Sequence, residues 1–268
     1  MTVSGRVCGV AQLDDEIFVC SESSTSVAVF SFQGRQDFTK QEELHFHELT
    51  TPPQDIAASE RFQLLFVADR SDHCVWQLEK SSRGHWRMEC PAVSKVEPVS
   101  LSLNDKRLLV VEKQRLTVFD IEKRKPKRTS LPDSLQAEHA LETLCGTFVV
   151  CGQVAGKPGV IEVNRRGGLL HMCDPQYLEV PCYLSIFGND EADLLVVDGR
   201  SHRVILLNSG LELVRVFLDK DHDDVLQPCR IVKSGYFLVG HAESSDDSVG
   251  VVSLYWPQKS ALQPLPDF

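Results

Sequence analysis

No Cys-x-x-C pair occurs in this 268-residue chain, although it holds nine cysteines. Cys8, Cys20, Cys74, Cys90, Cys145, Cys151, Cys173, Cys182 and Cys229 form an odd, scattered set. That excludes a zinc knuckle and a disulfide framework, which need partners at short, regular spacings. Most sit in apolar runs such as FVVC (148 to 151), where a reduced thiol behaves as a small hydrophobe. No apolar run approaches the about 18 residues that cross a bilayer. The start, MTVSGRVCGV, lacks the charge and long apolar segment of a secretion signal. Positive charge is scarce: 28 Lys and Arg stand against 38 Asp and Glu, for a net charge of −10. This disfavours broad binding to phosphate backbones. No window sustains a 3.6-residue apolar period, so long amphipathic helices are not expected. These absences describe a reduced cytoplasmic protein, with the nucleus as the alternative, outside the membrane and without cofactor or metal.

What is present is repetition. VADRSDHCVWQL (67 to 78) returns as VVDGRSHRVILL (196 to 207), an offset of 129 residues, three times 43. Prolines keep the same beat in PQDI from Pro53, PVSL from Pro98, PCYL from Pro181 and PCRI from Pro228. Further starts fall at GRVCGV and near His139 to Leu141. Six units result, with starts near 5, 53, 98, 139, 181 and 228. In each unit short runs rich in Val, Leu, Ile and Phe alternate with polar turns, which reads as β-strands. Repeats of this length with three or four strands each predict an all-β, six-bladed β-propeller occupying residues 1–268 as a single domain. Blades packed face to face bury both sides of their inner strands, so runs such as LLVV replace strict alternation. Closure is expected to pair the two chain ends in one blade, because an open ring would expose strand edges.

The repeated phrase resembles the NHL repeat, in which a strand, an Asp and an Asn-His-Arg-Val turn lead into the next strand. Asp198, Ser201, His202, Arg203 and Val204 follow it, as do Asp69, Asp72, His73 and Val75. Blade three shortens the turn to EKQR (112 to 115), and the other blades keep only the strands. The phrase is read as the turn between the second and third strands, with Asp and Ser bonding to backbone N–H groups and Arg203 bracing Asp198. The resemblance implies an interaction module of the kind that forms the target-recognition end of tripartite-motif proteins.

Other motifs read as architecture. CGQVAGKPG (151 to 159) has the wrong spacing for a phosphate loop and reads as a hairpin. His45 and His47 in HFHE are expected on an outermost strand without a third metal ligand. DKDHDD (219 to 224) lacks the Gly and Glu of a calcium loop and, with ESSDDS (243 to 248), reads as solvated loop.

The expected function is a non-catalytic scaffold that binds a protein or peptide on one propeller face, the isolated domain being a monomer. Residues just after each start should ring one mouth of the central channel: Arg6 and Val7, Gln54 and Asp55, Val99 and Ser100, Ala140 and Leu141, Cys182 and Tyr183, Cys229 and Arg230. Asp55, Tyr183, Arg230, Arg6 and Gln54 are the partner-binding candidates, because Tyr and Arg join large contact area to hydrogen-bonding capacity. One alternative is RNA binding through a basic loop, Lys123, Arg124, Lys125, Lys127 and Arg128, which the net charge disfavours. The other is a metal-dependent hydrolase or lyase with Asp55, Glu142 and His139 near the axis.

Overall fold

A computed structural model of the chain describes residues 1–32, 38–82, 84–104, 106–187, 193–219, 226–233, 237–242 and 249–255, with the side chains of Phe32, of 226–233, of Phe237 and of Ala242 outside that description. After β1 (Thr2–Ser4) come five consecutive four-stranded blades. Blade I is β2 (Val7–Leu13), β3 (Glu16–Ser21), β4 (Val27–Phe32) and β5 (Phe38–Leu44). Blade II is β6 (Asp55–Ser59), β7 (Leu64–Asp69), β8 (Cys74–Lys80) and β9 (Trp86–Ser94). Blade III is β10 (Ser100–Asn104), β11 (Arg107–Glu112), β12 (Arg115–Asp120) and β13 (Lys125–Ser130). Blade IV is β14 (Leu135–Glu142), β15 (Phe148–Val154), β16 (Lys157–Val163) and β17 (Leu169–Met172). Blade V is β18 (Pro181–Phe187), β19 (Asp193–Asp198), β20 (Arg203–Leu207) and β21 (Leu213–Asp219). Blade VI joins β22 (Leu226–Lys233), β23 (Phe237–Ala242) and β24 (Val249–Tyr255) to β1, in the order β1-β24-β23-β22. Among the described residues the one helical element is a single 3-10 turn, Pro175–Tyr177. The chain is a six-bladed β-propeller.

The ring is closed by β1, which pairs antiparallel with β24 (Thr2↔Val251, Ser4↔Val249) as the outermost strand of blade VI. Gly5, at φ +73°, turns the chain from that rim strand toward β2 at the axis. Burial explains the continuous apolar runs. Every residue of β7 is buried, whereas all four residues of β17 and five in succession on β5 are exposed. The described core divides into six clusters, one per seam between neighbouring blades. Phe18 of blade I packs with Leu65 and Leu78 of blade II, and Val7 and Ile17 of blade I meet Leu238 and Val252 of blade VI. Each blade thus completes the hydrophobic interior of two neighbours.

Several local expectations change. The fourth inner strand starts at Leu135, earlier than His139, and carries a bulge between Ala137 and His139. His45 and His47 lie beyond β5, both exposed. The basic segment is mostly strand: Lys125, Lys127 and Arg128 belong to β13, and only Lys123 and Arg124 occupy the preceding turn. CGQVAGKPG is the hairpin joining β15 to β16, with Ala155 and Gly156 both left-handed (φ +51° and +77°) as its two-residue turn requires. DKDHDD beyond Asp219, and ESSDDS, lie outside the described residues.

The eight described cysteines are reduced thiols, five of them buried. Burial beside Asp69 and Asp72 pushes the Cys74 thiol up to about 12, and burial beside Asp174 pushes Cys173 up to about 11. Such thiols are poor nucleophiles at neutral pH. Titration with a thiol reagent is expected to reach the sequence count of nine only after denaturation, with Cys90 and Cys145 reacting in the native state. Fewer than nine in denaturant would show that some are oxidised.

Candidate functional site

The inner strands β2, β6, β10, β14 and β18 all begin at one mouth of the channel. Antiparallel order then places the turns between second and third strands on the same face, and the turns between first and second strands on the opposite one. Pairing with the second strand gives a common register to all six blades. Gly9↔Cys20, Asp55↔Ala68, Ser100↔Val111, His139↔Cys151, Tyr183↔Val197 and Arg230↔Gly240 are equivalent pairs. The first-named residues form a girdle around the axis, one from each blade.

The girdle ties blade to blade. An inner strand has no strand neighbour on its axial side, so its backbone groups there need other partners. Asp55 is fully buried; its Oδ1 accepts from its neighbour Ile56 N (2.9 Å) and its Oδ2 from Leu101 N of blade III (2.9 Å). Ser100 Oγ donates to Glu138 O of blade IV (2.7 Å). His139, also fully buried, accepts from Leu184 N of blade V at Nδ1 (3.2 Å). Its Nε2–H therefore donates to Leu101 O of blade III (3.2 Å), which makes the ring neutral. Tyr183 stacks on that imidazole with ring centroids 3.7 Å apart. Gly9 completes the series by absence: a Cβ there would sit 2.8 Å from Ile56 N and 3.0 Å from Asp55 Oδ1.

Two expected mouth residues are therefore corrected. Asp55 (0% exposed) and Tyr183 (6%) lie below the mouth, because they bridge or pack between inner strands. Arg230 occupies the matching place on β22, but its side chain lies outside the described residues. In blade IV, Glu138 and His139 take the positions expected of Ala140 and Leu141, and in blade I, Cys8 and Gly9 take those of Arg6 and Val7.

One residue nearer the opening, Cys8, Gln54, Val99, Glu138 and Cys182 form a second ring and line a cavity of about 410 Å³. Arg6, Glu22, Thr51 and Pro52 build its rim, with Arg6 Nη1 at 4.0 Å from Glu22. Cys8 Sγ donates to Pro53 O (3.0 Å) and so fastens blade I to blade II. Lys113 bonds Glu138 (2.5 Å) and connects this cavity to a groove of about 920 Å³ over blades II to IV, lined by His73, Lys95, Glu97, Arg115 and Gln136 among others.

The repeated phrase works as turn and brace. His73 and His202 are both left-handed (φ +54° and +55°) at equivalent places. Asp69 Oδ1 accepts from Ser71 N (3.0 Å), Ser71 Oγ (2.7 Å) and Asp72 N (3.2 Å), and its Oδ2 accepts from Trp76 Nε1 (3.2 Å). Asp198 instead receives the chain entering blade V, from Val180 N (2.7 Å) and Glu179 N (3.0 Å). Arg203 Nη2 lies 3.5 Å from Asp198 and donates to Tyr177 O (2.7 Å). Glu112 of blade III repeats this arrangement. It accepts from Glu97 N of the incoming link (3.0 Å) and from Arg115 Nε and Nη2 (2.6 and 2.5 Å). Burial alone would raise the Glu112 carboxyl, but Arg115, the Glu97 N–H and Thr117 together hold it below the ordinary value.

Near the alternative catalytic candidates, Glu142 is buried and bonded to Arg107 (2.9 Å) and Asn104 (2.9 Å). Among the described residues no group of three or more His, Cys, Asp or Glu side chains converges as a metal site.

No protein-family profile matches the chain, and no curated protein matches it in sequence. Solved structures do match it in shape. The WD40 β-propeller domain of Doa1 superposes with a TM-score of 0.65 at 10% identity, covering 97% of each chain. A protein from Lactobacillus plantarum gives 0.65 at 14% identity over 97% of this chain and 83% of its own. Virginiamycin B lyase from Staphylococcus aureus gives 0.59 at 10% identity over 97% and 89%. At such identities the likeness establishes the propeller architecture, shared here by a WD40 domain and a lyase. Among the described residues no helix is long and apolar enough to cross a membrane.

Proposed function

We propose that the chain is a non-catalytic propeller of NHL type that binds a protein or peptide partner at the mouth of its channel, in the cytoplasm. The NHL assignment rests on the Asp69 to Val75 and Asp198 to Val204 phrases and their matched left-handed histidines. The observation that carries the binding reading is the cavity above the girdle. Girdle groups at Asp55, Ser100 and His139 fix the inner strands to one another, and the residues just above them come from five blades and surround an open, mixed-polarity cavity. A rigid frame carrying variable residues at its opening suits recognition. Gln54 and Arg6 remain the candidates for contact, joined by Glu138 and Glu22.

Position-specific photo-crosslinking in cells tests this. A photoreactive residue in place of Gln54 is expected to capture a partner, and Arg6→Glu in the same chain should abolish the adduct. The same probe in place of Asp14, in the turn between β2 and β3 on the opposite face, should capture none. Adducts from position 14 alone, or an adduct indifferent to Arg6→Glu, would place binding elsewhere.

A further inference from the structure

The rim of blade III carries a strip of cations that its own acids leave unneutralised. β13 ends its sheet, and Lys125, Pro126, Lys127, Arg128 and Ser130 are exposed, with Thr129 alone buried. Four nearby carboxylates already have cations. Asp120 is held by Lys123 (2.9 Å), Glu122 by Arg61 (3.4 Å) and Lys106 (3.5 Å), Glu112 by Arg115 and Glu138 by Lys113. Lys95, Lys125, Lys127 and Arg128 join no ion pair among the described residues; exposed Glu97 stands two positions from Lys95. In a chain of net charge −10, this strip is a local reversal of sign.

Its geometry is linear. Thr129 Oγ1 donates to Arg165 O across the seam to blade IV (3.2 Å), so by strand alternation Lys127 and Lys125 share that face. Across the other seam Arg128 Nη2 donates to Ser94 O (3.5 Å) and to the O of Lys95 (3.2 Å), a residue that lines the large groove. Cations therefore flank the open edge on both faces. Lys125 and Lys127 are about 7 Å apart along the strand, the repeat of alternate side chains in an extended peptide. The strand holds no aromatic residue on which bases could stack, which weighs against single-stranded nucleic acid. Pro126 removes one N–H from the edge, so side-chain charge, more than a backbone ladder, would select the partner.

We propose that the outer edge of blade III docks an extended acidic segment of another protein, laid along β13 with carboxylates at alternate positions facing Lys125 and Lys127. This surface is separate from the channel mouth, and failure of either leaves the other standing.

Fluorescence anisotropy provides the test, with a labelled peptide of about eight residues alternating Glu and Thr. A Gln/Thr peptide and an oligouridylate of equal charge serve as competitors. The acidic peptide should bind and weaken as salt rises. Lys125→Glu with Lys127→Glu should reduce affinity about tenfold, and Lys125→Gln with Lys127→Gln should reduce it less but in the same direction. Both pairs are exposed, so melting temperature and circular dichroism should hold. Binding within twofold of the parent after charge reversal would overturn the proposal. Equal binding of the Gln/Thr peptide, tighter binding of the oligouridylate, or no binding of the acidic peptide at millimolar concentration would do so too.

Discussion

Replacing Asp198 with alanine is expected to cost the fold about 3 kcal/mol, roughly twice the loss from Asp69→Ala. The two residues occupy the same place in the repeated phrase and both are buried, so sequence alone would rank them equally. Their partners differ. Asp69 serves its own turn, where Ser71 N and Asp72 N can turn to water, and its loss leaves chiefly Trp76 Nε1 without an acceptor. Asp198 joins two segments, because Glu179 N and Val180 N belong to the link that delivers β18 to the axis. Removing it orphans both N–H groups and leaves the Arg203 guanidinium without its carboxylate. Asp198→Asn keeps an acceptor but loses the charge and should fall between the two. Urea unfolding of the three variants at constant m provides the check. Equal losses for Asp69→Ala and Asp198→Ala would show that the link is held by packing and not by this carboxylate.

The blade rhythm was legible because its signals are local. Proline starts, apolar runs and polar turns each report on a few neighbouring residues, and the turn at His73 and His202 could be read from Asp, Ser and His in order. The register of the inner strands was less legible. In blades I and IV, whose starts lack the proline signal, the mouth residues are Cys8 and Glu138, each two positions from the expected Arg6 and Ala140. Asp55 carried no sequence sign of its role, since one of its acceptor bonds serves a backbone N–H 46 positions away. A usable signal was present at Glu112 and Arg115. An acid ending a second strand, followed by an Arg opening the third, is the pattern of Asp198 and Arg203 written across a shorter turn. The basic segment misled for a different reason. Lys and Pro are depleted in strands generally, yet an edge strand accepts both, since its outer side needs no partner.

Deleting residues 1–4 is expected to lower stability by about 3–5 kcal/mol, the largest loss among these changes, and melting by about 10 °C. The segment is small, but its removal acts on the whole ring. β1 hydrogen-bonds the start of the chain into the sheet of blade VI, through Thr2↔Val251, Val3↔Gly250 and Ser4↔Val249, with Val252 N donating to Met1 O (2.8 Å). Met1 and Val3 pack on the cluster of Val7, Val10, Leu238 and Val252 that seals the seam between blades VI and I. Without β1, β24 becomes an uncovered edge, inviting pairing between molecules. Val3→Asp separates the contributions: it keeps the backbone ladder and loses the packing, and should cost about 1–2 kcal/mol. Thr2→Lys, at an exposed position of the same strand, should be neutral. Scanning calorimetry with light scattering gives both readouts. A truncated chain that melts with the parent and stays monodisperse would mean that the seam between blades VI and I closes the ring without its outer strand.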